Sequence, residues 1–417
     1  MTNWKLIAHQ IVTGVGCAPG EIIYLRDDVG RVDVVEEILL AIERQGATPW
    51  LEWHRSGYME RLWNEVSPER LGQWHTQRQK FLATADRIIT LGSTHPNFER
   101  VNKEGFAAWQ TAEQALTELE ESRQLPYMLV GIPTAEKAAE LGLSLAELEA
   151  HMLPALAVPT AELRLPIERI LHHATHAQTL TIRTGTEEQY TLTMQLAEGR
   201  PWHSDDGFID EQDRAQGAIV SNMPAGSIYT TVQEAATTGQ VWLAQAGQAR
   251  DVLLSFGADG RVAQVTAAHG QEWLEGLFGR HTGEPRRVGH IGIGLNPHLH
   301  RAIGWTLVDE HVQGTLFLSF GENRYMGGQN ESSLNVDFAL AGATLLAGER
   351  PLVENGHTPK KPRGGGRIVA PPPPLLGGGP GGKKKKRGGG VWFPNFCFFP
   401  SGGGKGGRFF FFLGGGV

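Results

Sequence analysis

The stretch EIIYLRDDVGRVDVVEEILLAIERQGATPWLEW, residues 21–53, decides the fold of the first half of the chain. Residues 21–25 and 48–53 are short apolar runs of the kind that form buried strands. Between them, residues 31–45 repeat apolar side chains at helical spacing, and Gly46 is the expected stop of that helix. A strand, a helix and a second strand in succession predict parallel strands within one sheet.

The same alternation continues downstream to residue 130. Residues 68–84 and 112–122 are predicted helices, while 87–91 and 127–130 are predicted strands. We therefore predict an α/β fold in which the N-terminal domain contains a doubly wound parallel sheet. Ligands of such sheets bind at the carboxyl ends of the strands. His95 follows the third strand and therefore falls at that edge.

The hydrophobic period changes to two in the second half of the chain. The predicted strands there are 179–183, 190–195, 241–246, 251–255, 261–265, 290–294, 315–320 and 334–340. We therefore predict a C-terminal α+β domain with a mostly antiparallel sheet. The predicted organisation is an N-terminal domain over residues 1–165, a C-terminal domain over 166–357, and a tail over 358–417.

The tail is predicted to lie outside the fold. It consists largely of Gly, Pro, Lys and Phe in homopolymer runs, as translated mononucleotide repeats would, and the alternative is a disordered basic tail. Its 11 basic residues mask the charge of the rest, because residues 1–357 hold 27 basic and 45 acidic residues, a net charge of -18. A body this acidic repels phosphate backbones, so nucleic acid is not an expected partner.

The cysteine count and the hydropathy pattern narrow the class of protein further. Only Cys17 and Cys397 are present, which excludes a disulfide framework or a zinc site built from cysteines. No apolar run is long enough to span a bilayer, and the first twenty residues lack the pattern of a signal peptide. We expect a cytoplasmic protein with a small-molecule substrate and no membrane partner.

Two glycine-interrupted segments hold the candidate metal ligands. Residues 289–297 read GHIGIGLNP and contain His290, while residues 334–338 read LNVDF. Strand alternation places Asn335 and Asp337 on the same face. An imidazole, a carboxylate and an amide oxygen on neighbouring strands could hold one divalent ion, and donors without sulfur suit Fe(II), Mn or Zn. The alternative is a structural histidine packed beside glycines.

These segments resemble the C-terminal motifs of the aminopeptidase T family of metallopeptidases. The resemblance rests on four segments: 222–230, 290–297, 314–328 and 335–337. In order of elements it extends over most of residues 1–357. It implies a metal-dependent enzyme that assembles as a homodimer.

The metal ligands of that family are mostly replaced in this chain. The family holds two metals through two Glu, two His, a Tyr and an Asp. At these positions the sequence has Ser227 and His290 for Glu, Phe317 and Asn335 for His, and Asp337, with Tyr325 as the candidate Tyr. Because a two-metal centre needs several anionic ligands, we expect the two-metal peptidase mechanism to fail here.

The pattern is closer to that of a related enzyme, the 2,5-dihydroxypyridine dioxygenase. That enzyme has His at position 290, no Glu at 227 and an aromatic residue at 317, and it holds one Fe(II) through two His and one carboxylate. The resemblance implies His290 and Asp337 as metal ligands, with Asn335 in place of the second His. It also implies that His95 is a catalytic residue that contacts the substrate.

The resulting hypothesis is a mononuclear, Fe(II)-dependent dioxygenase that opens a hydroxylated aromatic ring, with Zn, Mn or Co as alternative metals. A metalloaminopeptidase and a non-catalytic small-molecule-binding protein are the alternative functions. Glu322 is a candidate acid/base or a plain turn carboxylate. His298, His300 and His311 are candidates for the missing imidazole, and residues 202–207 are predicted to form an exposed loop.

Overall fold

The computed structural model describes residues 4–93, 96, 100–216 and 218–359. His95 and the tail beyond residue 359 lie outside the described residues. The strands are β1 Ile22–Asp27, β2 Thr48–Trp53, β3 Arg87–Gly92, β4 Tyr127–Gly131, β5 Thr179–Thr184, β6 Tyr190–Gln195, β7 Trp202–Asp205, β8 Val220–Met223, β9 Ser227–Thr231, β10 Thr238–Ala246, β11 Ala249–Phe256, β12 Val262–His269, β13 Val288–Gly294, β14 Leu316–Gly321, β15 Asn335–Leu340, β16 Thr344–Ala347 and β17 Arg350–Val353.

The helices lie mainly in the first half of the chain. They are α1 Trp4–Gly14, α2 Val32–Arg44, α3 Tyr58–Glu65, α4 Pro68–Leu71, α5 His75–Leu82, α6 Lys103–Arg123, α7 Ala135–Glu140, α8 Leu145–Leu156, α9 Thr160–Ala174, α10 Glu211–Gln216, α11 Gln271–Gly279 and α12 Thr306–Asp309. Short 3₁₀ turns cover Thr186–Glu188 and Arg324–Met326. Among the described residues, none of these helices has the length and apolar character needed to cross a membrane.

The first sheet is parallel throughout and confirms the predicted α/β architecture. Its strand order is β2-β1-β3-β4-β8, and β1 pairs in parallel with both β2 and β3. Ile23 and Leu25 of β1 point into the core together with Ile38 and Ile42 of α2. The apolar periods of residues 21–53 therefore do form one βαβ unit.

Two local features of this half differ from the sequence prediction. The predicted helix over residues 68–84 is divided into α4 and α5 around Gly72, a residue type with low helix propensity. The sheet also takes its fifth strand, β8, from the second half of the chain, where Val220 pairs with Tyr127. The predicted division at residue 165 therefore separates stretches of sequence, but the first sheet extends across it.

The second half contains two antiparallel sheets, as predicted for the C-terminal part. One has the order β12-β11-β10-β6-β5-β16-β17 and the other β15-β14-β13-β9-β7. The five-stranded sheet has two chemically different faces because successive side chains alternate. Ile291, Leu318 and Phe338 enter the hydrophobic core between the two sheets. The opposite face carries the polar residues of the candidate site.

Candidate metal site on the five-stranded sheet

The four sequence segments singled out above lie side by side in the five-stranded sheet. They form β9, β13, β14 and β15, which are consecutive neighbours although they span residues 227–340. His290 pairs with Thr231, and Ser319 pairs with Asp337. Directly paired residues of an antiparallel sheet point to the same face. The sheet therefore gathers His290, Ser319 and Asp337 on one face.

His290 and Asp337 form the centre of this face. Their side chains are almost fully buried, and His290 Nε2 lies 3.4 Å from Asp337 Oδ1. Among the described residues, Asp337 Oδ1 accepts no hydrogen bond although it is shielded from solvent. A buried carboxylate oxygen without a donor is costly unless another group satisfies it. This oxygen, beside His290 Nε2, could therefore accept a proton or bind a cation.

Tyr325 and Asn335 complete the polar surroundings of His290. The Tyr325 hydroxyl lies 3.5 Å from His290 Nδ1, and it is hydrogen-bonded to Asn335. Asn335 Oδ1 accepts a hydrogen bond of 3.2 Å from Ser319 Oγ. Burial, followed by the nearby Asp337 carboxylate, raises the pKa of Tyr325 well above its usual value. The phenol therefore stays protonated, and the Asn335 amide is already engaged with two neighbours.

Aromatic rings border the His290–Asp337 pair on the same face. Phe317 approaches the His290 ring edge-on with centroids 6.0 Å apart, and Tyr229 lies 6.1 Å from it. The Phe317 ring covers Gly292, where an added Cβ would lie 1.9 Å from Phe317 Cζ. Phe317 thus occupies the place in which the family resemblance would put a histidine ligand.

His203 belongs to the site, although the sequence does not mark it as a site residue. Residues 202–205 form strand β7 instead of an exposed loop, and the His203 ring stacks on Tyr229 at 5.4 Å. Burial lowers the pKa of His203, and the nearby His290 lowers it further, although the Met326 carbonyl opposes this. The imidazole is therefore neutral. The four-residue strand is too short for its alternation to stand out in the sequence.

The remaining candidate histidines lie elsewhere. His298 contacts Glu162 near the surface, and His300 is exposed and lies near His151. His311 is buried, with Nε2 3.3 Å from Glu310 Oε1 and 4.0 Å from Asp205 Oδ2. Burial alone would lower the pKa of His311, but these two carboxylates raise it. His298 and His311 therefore contact carboxylates other than that of Asp337.

Glu322 borders the turn that carries Tyr325. Its carboxylate accepts from Arg324 Nε at 2.8 Å and from the Ser332 amide at 2.9 Å. These contacts correspond to the turn-carboxylate alternative, and a catalytic role for Glu322 stays a prediction.

A buried ion pair contacts the same turn. Arg200 donates two hydrogen bonds of 2.8 Å to the Glu234 carboxylate. Glu234 Oε1 also accepts from Asn323 Nδ2 and from the Gln329 amide. Desolvation opposes the charge of Glu234, but the bonds from Arg200 and Gln329 outweigh it and lower its pKa. Glu234 therefore joins the strands to both ends of the turn at Tyr325.

Replacing Glu234 by glutamine should lower the free energy of unfolding by about 3 kcal/mol or more, because Arg200 would remain buried without a counter-charge. Urea unfolding followed by circular dichroism measures this. Asp259→Asn, which removes one partner of the exposed Arg261 pair, is the control and should match wild type. Equal stability of Glu234→Gln and wild type would contradict the role given to this pair.

His290 and Asp337 are the two side chains of metal-ligand type that contact each other on this face. Within the described part of the chain, no group of three or more His, Cys, Asp or Glu side chains is arranged to hold a metal. Two ligands bonded at about 2.1 Å to one tetrahedral ion are separated by about 3.4 Å, which is the separation of His290 Nε2 and Asp337 Oδ1. A single ion would thus find two donors in place, with oxygens of Asn335 or Tyr325 as further candidates.

Comparison with known proteins agrees with this architecture. A solved structure of wild-type AmpT from Thermus thermophilus is similar with a TM-score of 0.64 and 19% identity, over 85% of this chain and 98% of that one. The 2,5-dihydroxypyridine dioxygenase from Pseudomonas putida KT2440 is similar with a TM-score of 0.56 and 16% identity, over 86% and 97% of the two chains. At these identities the likeness establishes a shared fold.

The sequence itself places the chain in a family. No curated protein gives a significant match. The family model of the thermophilic metalloproteases (M29), however, matches residues 5–345 and so covers both halves of the described structure. The chain therefore belongs to the M29 family of thermophilic metalloproteases.

Proposed function

We propose that this protein is a mononuclear metal-dependent enzyme that opens a hydroxylated aromatic ring. The observation that carries the proposal is the buried pair of His290 and Asp337, whose donor atoms lie 3.4 Å apart. The replacement of the family's other ligands by Ser227 and Phe317 favours one ion over two. A two-metal clamp on a peptide bond would lack its anionic ligands.

His290 and Asp337 would hold the ion, with the amide oxygen of Asn335 as a third donor. Fe(II) is the first choice, and Zn, Mn or Co are alternatives. When bound, the ion supplies Lewis acidity and, as iron, redox chemistry with O2. The protonated Tyr325 hydroxyl, next to His290, can donate a hydrogen bond to an oxygen of the substrate. The rings of Phe317 and Tyr229 offer apolar surface to a planar ring.

A substrate needs a movement of the protein to reach this site, because the His290 and Asp337 side chains are only 1% and 2% exposed. A cavity of about 50 Å³ lies next to it beside Tyr229, Tyr325 and Met326, although neither His290 nor Asp337 lines that cavity. The 3₁₀ turn Arg324–Met326 forms part of its wall. In this proposal the turn moves outward to admit the substrate and then returns Tyr325 to His290.

An aminopeptidase is the second candidate, and the match to the metalloprotease family over residues 5–345 favours it. It differs from the first candidate in the number of metals and in the substrate. A panel of aminoacyl chromogenic substrates with Co, Zn or Mn tests it directly. Hydrolysis of that panel would show that our interpretation of the missing ligands is wrong.

Metal analysis separates these functions. Full-length protein incubated anaerobically with Fe(II) and then desalted should retain about one ion per chain, because His290 and Asp337 provide one donor pair at the proposed site. Less than about half an ion per chain would end the proposal and favour a non-catalytic member of the family. About two ions together with aminoacyl hydrolysis would establish the peptidase instead.

The proposal also includes a small-molecule substrate, a homo-oligomer and a cytoplasmic location. The net charge of -18 over residues 1–357 supports a small-molecule substrate, because it disfavours polyanionic partners. The family resemblance supports a homodimer, which light scattering of the full chain would measure.

A further inference from the structure

A second cavity lies in the first half of the molecule, at the carboxyl edge of the parallel sheet. It has a volume of about 410 Å³, within the usual range of small-molecule sites. Asp28, His54 and Ser93, which directly follow β1, β2 and β3, line its mouth. The chain leaves β1 toward β2 on one side and returns to β3 on the other. The cavity thus lies at the topological switch point, where doubly wound sheets bind ligands.

The inner wall of this cavity is aromatic. Strand alternation turns Tyr24 and Arg26 of β1 toward it, while Ile23 and Leu25 face the opposite side of the sheet. The helical side is lined by Trp63 of α3, Trp74 directly before α5 and Trp109 of α6. Indole and phenol faces carry a negative quadrupole and attract cations as well as apolar groups.

The charges of the inner wall are paired except at one carboxylate. Arg26 forms an ion pair with Glu120, and Arg78 Nη2 lies 2.7 Å from Glu52 Oε1. Glu113 accepts a hydrogen bond of 2.9 Å from Trp74 Nε1, but among the described residues it has no cationic partner within ion-pair distance. The described residues that line the cavity include three arginines and seven acidic residues, of which Glu140 pairs with Lys137 outside the lining. The cavity therefore has an excess of negative charge.

We propose that this cavity is a second ligand site, which binds an organic cation with a protonated amine on an aromatic or apolar body. The ammonium group lies against Glu113, and the apolar body contacts the tryptophan rings. The proposal goes beyond the function inferred for His290 and Asp337, because neither residue lines this cavity.

The protonation of Glu113 agrees with this assignment. Burial raises the pKa of Glu113 to about 7, with Arg26 opposing the rise and the Glu120 and Glu52 carboxylates adding to it. A bound cation would compensate the carboxylate and lower this pKa, so binding should release a proton near neutral pH. A carboxyl group that lines an aromatic cavity and has no cationic partner among the described residues offers a place for the charge of a cationic ligand.

Three probes of one shape and different charge test the proposal. Isothermal titration of the full chain with 2-phenylethylammonium, 2-phenylethanol and phenylacetate should give the lowest Kd for the ammonium, by about tenfold over the alcohol. Glu113→Gln keeps an acceptor for Trp74 and should remove that preference while leaving the alcohol unchanged. Glu118→Gln, on the exposed face of the same helix, is the matched control and should behave as wild type.

The pH series gives a second readout. Between pH 6 and pH 8 the Kd of the ammonium should fall about tenfold as Glu113 ionises, and Glu113→Gln should flatten most of this dependence. His54 and Asp28, which contact each other, also line the cavity. Tightest binding of phenylacetate, equal binding of all three probes, or no saturable binding by wild type would each overturn the proposal.

Discussion

His290→Ala should abolish stoichiometric metal binding, with an affinity at least about 100-fold lower than that of wild type. The reason is that His290 supplies the only imidazole next to Asp337 within the described residues. Without it, an ion would be left with a carboxylate and neutral oxygens, which are weak ligands for Fe(II) or Zn. Metal per chain after desalting is the measurement, and thermal unfolding with and without metal is the second, because a bound ion raises the Tm.

His298→Ala is the matched control, because it removes an imidazole from the same region that contacts Glu162 near the surface. It should retain wild-type metal content. Asp337→Asn keeps the shape of the side chain but removes its charge, and we expect it to lose metal as His290→Ala does. If His290→Ala kept a full equivalent, the metal would have to bind elsewhere, and the proposed function would lose its basis.

Gly292→Ala should destabilise the protein by about 2–3 kcal/mol, the usual cost of overpacking a core. The new Cβ would lie 1.9–2.4 Å from three ring atoms of Phe317, whose side chain is itself buried. Chemical denaturation measures the loss. Gly276→Ala is the control, because nothing lies within 4 Å of its added Cβ and alanine favours the helix α11.

A double-mutant cycle identifies the cause of that loss. The background Phe317→Ala removes the three ring atoms nearest to the added methyl group, so Gly292→Ala should then cost little. Additive losses in the double variant would mean that Phe317 is not the group that requires glycine at position 292. The same cycle followed by metal analysis would show whether the Phe317 ring is needed to position His290, which it contacts edge-on.

Much of the local structure could be predicted from the sequence. The strand at residues 48–53 has the predicted bounds, and β13, β14 and β15 begin and end within two residues of their predicted limits. Asn335 and Asp337 do share a face, as alternation requires. These features depend on periods of two or 3.6 residues, which a short stretch of sequence carries by itself.

The site could be predicted only in part. The resemblance predicts the contact between His290 and Asp337. It does not predict the hydrogen bonds of Asn335 with Ser319 and Tyr325. The sequence predicts an exposed loop at His203, because β7 has only four residues and its position depends on pairing with β9. The sequence does not distinguish between the two roles considered for Glu322. Its contacts with Arg324 form only when the turn is folded.

The sequence by itself determined the parallel first sheet, the antiparallel second half and the residue types of the candidate site, because these follow from local periodicity and composition. The tertiary structure alone decided which strands are neighbours. It added β8 to the first sheet, brought His290 and Asp337, which are 47 positions apart in the sequence, to a separation of 3.4 Å, and placed the Phe317 ring against Gly292. Pairing between distant strands depends on the packing of the whole chain, and no local pattern encodes it.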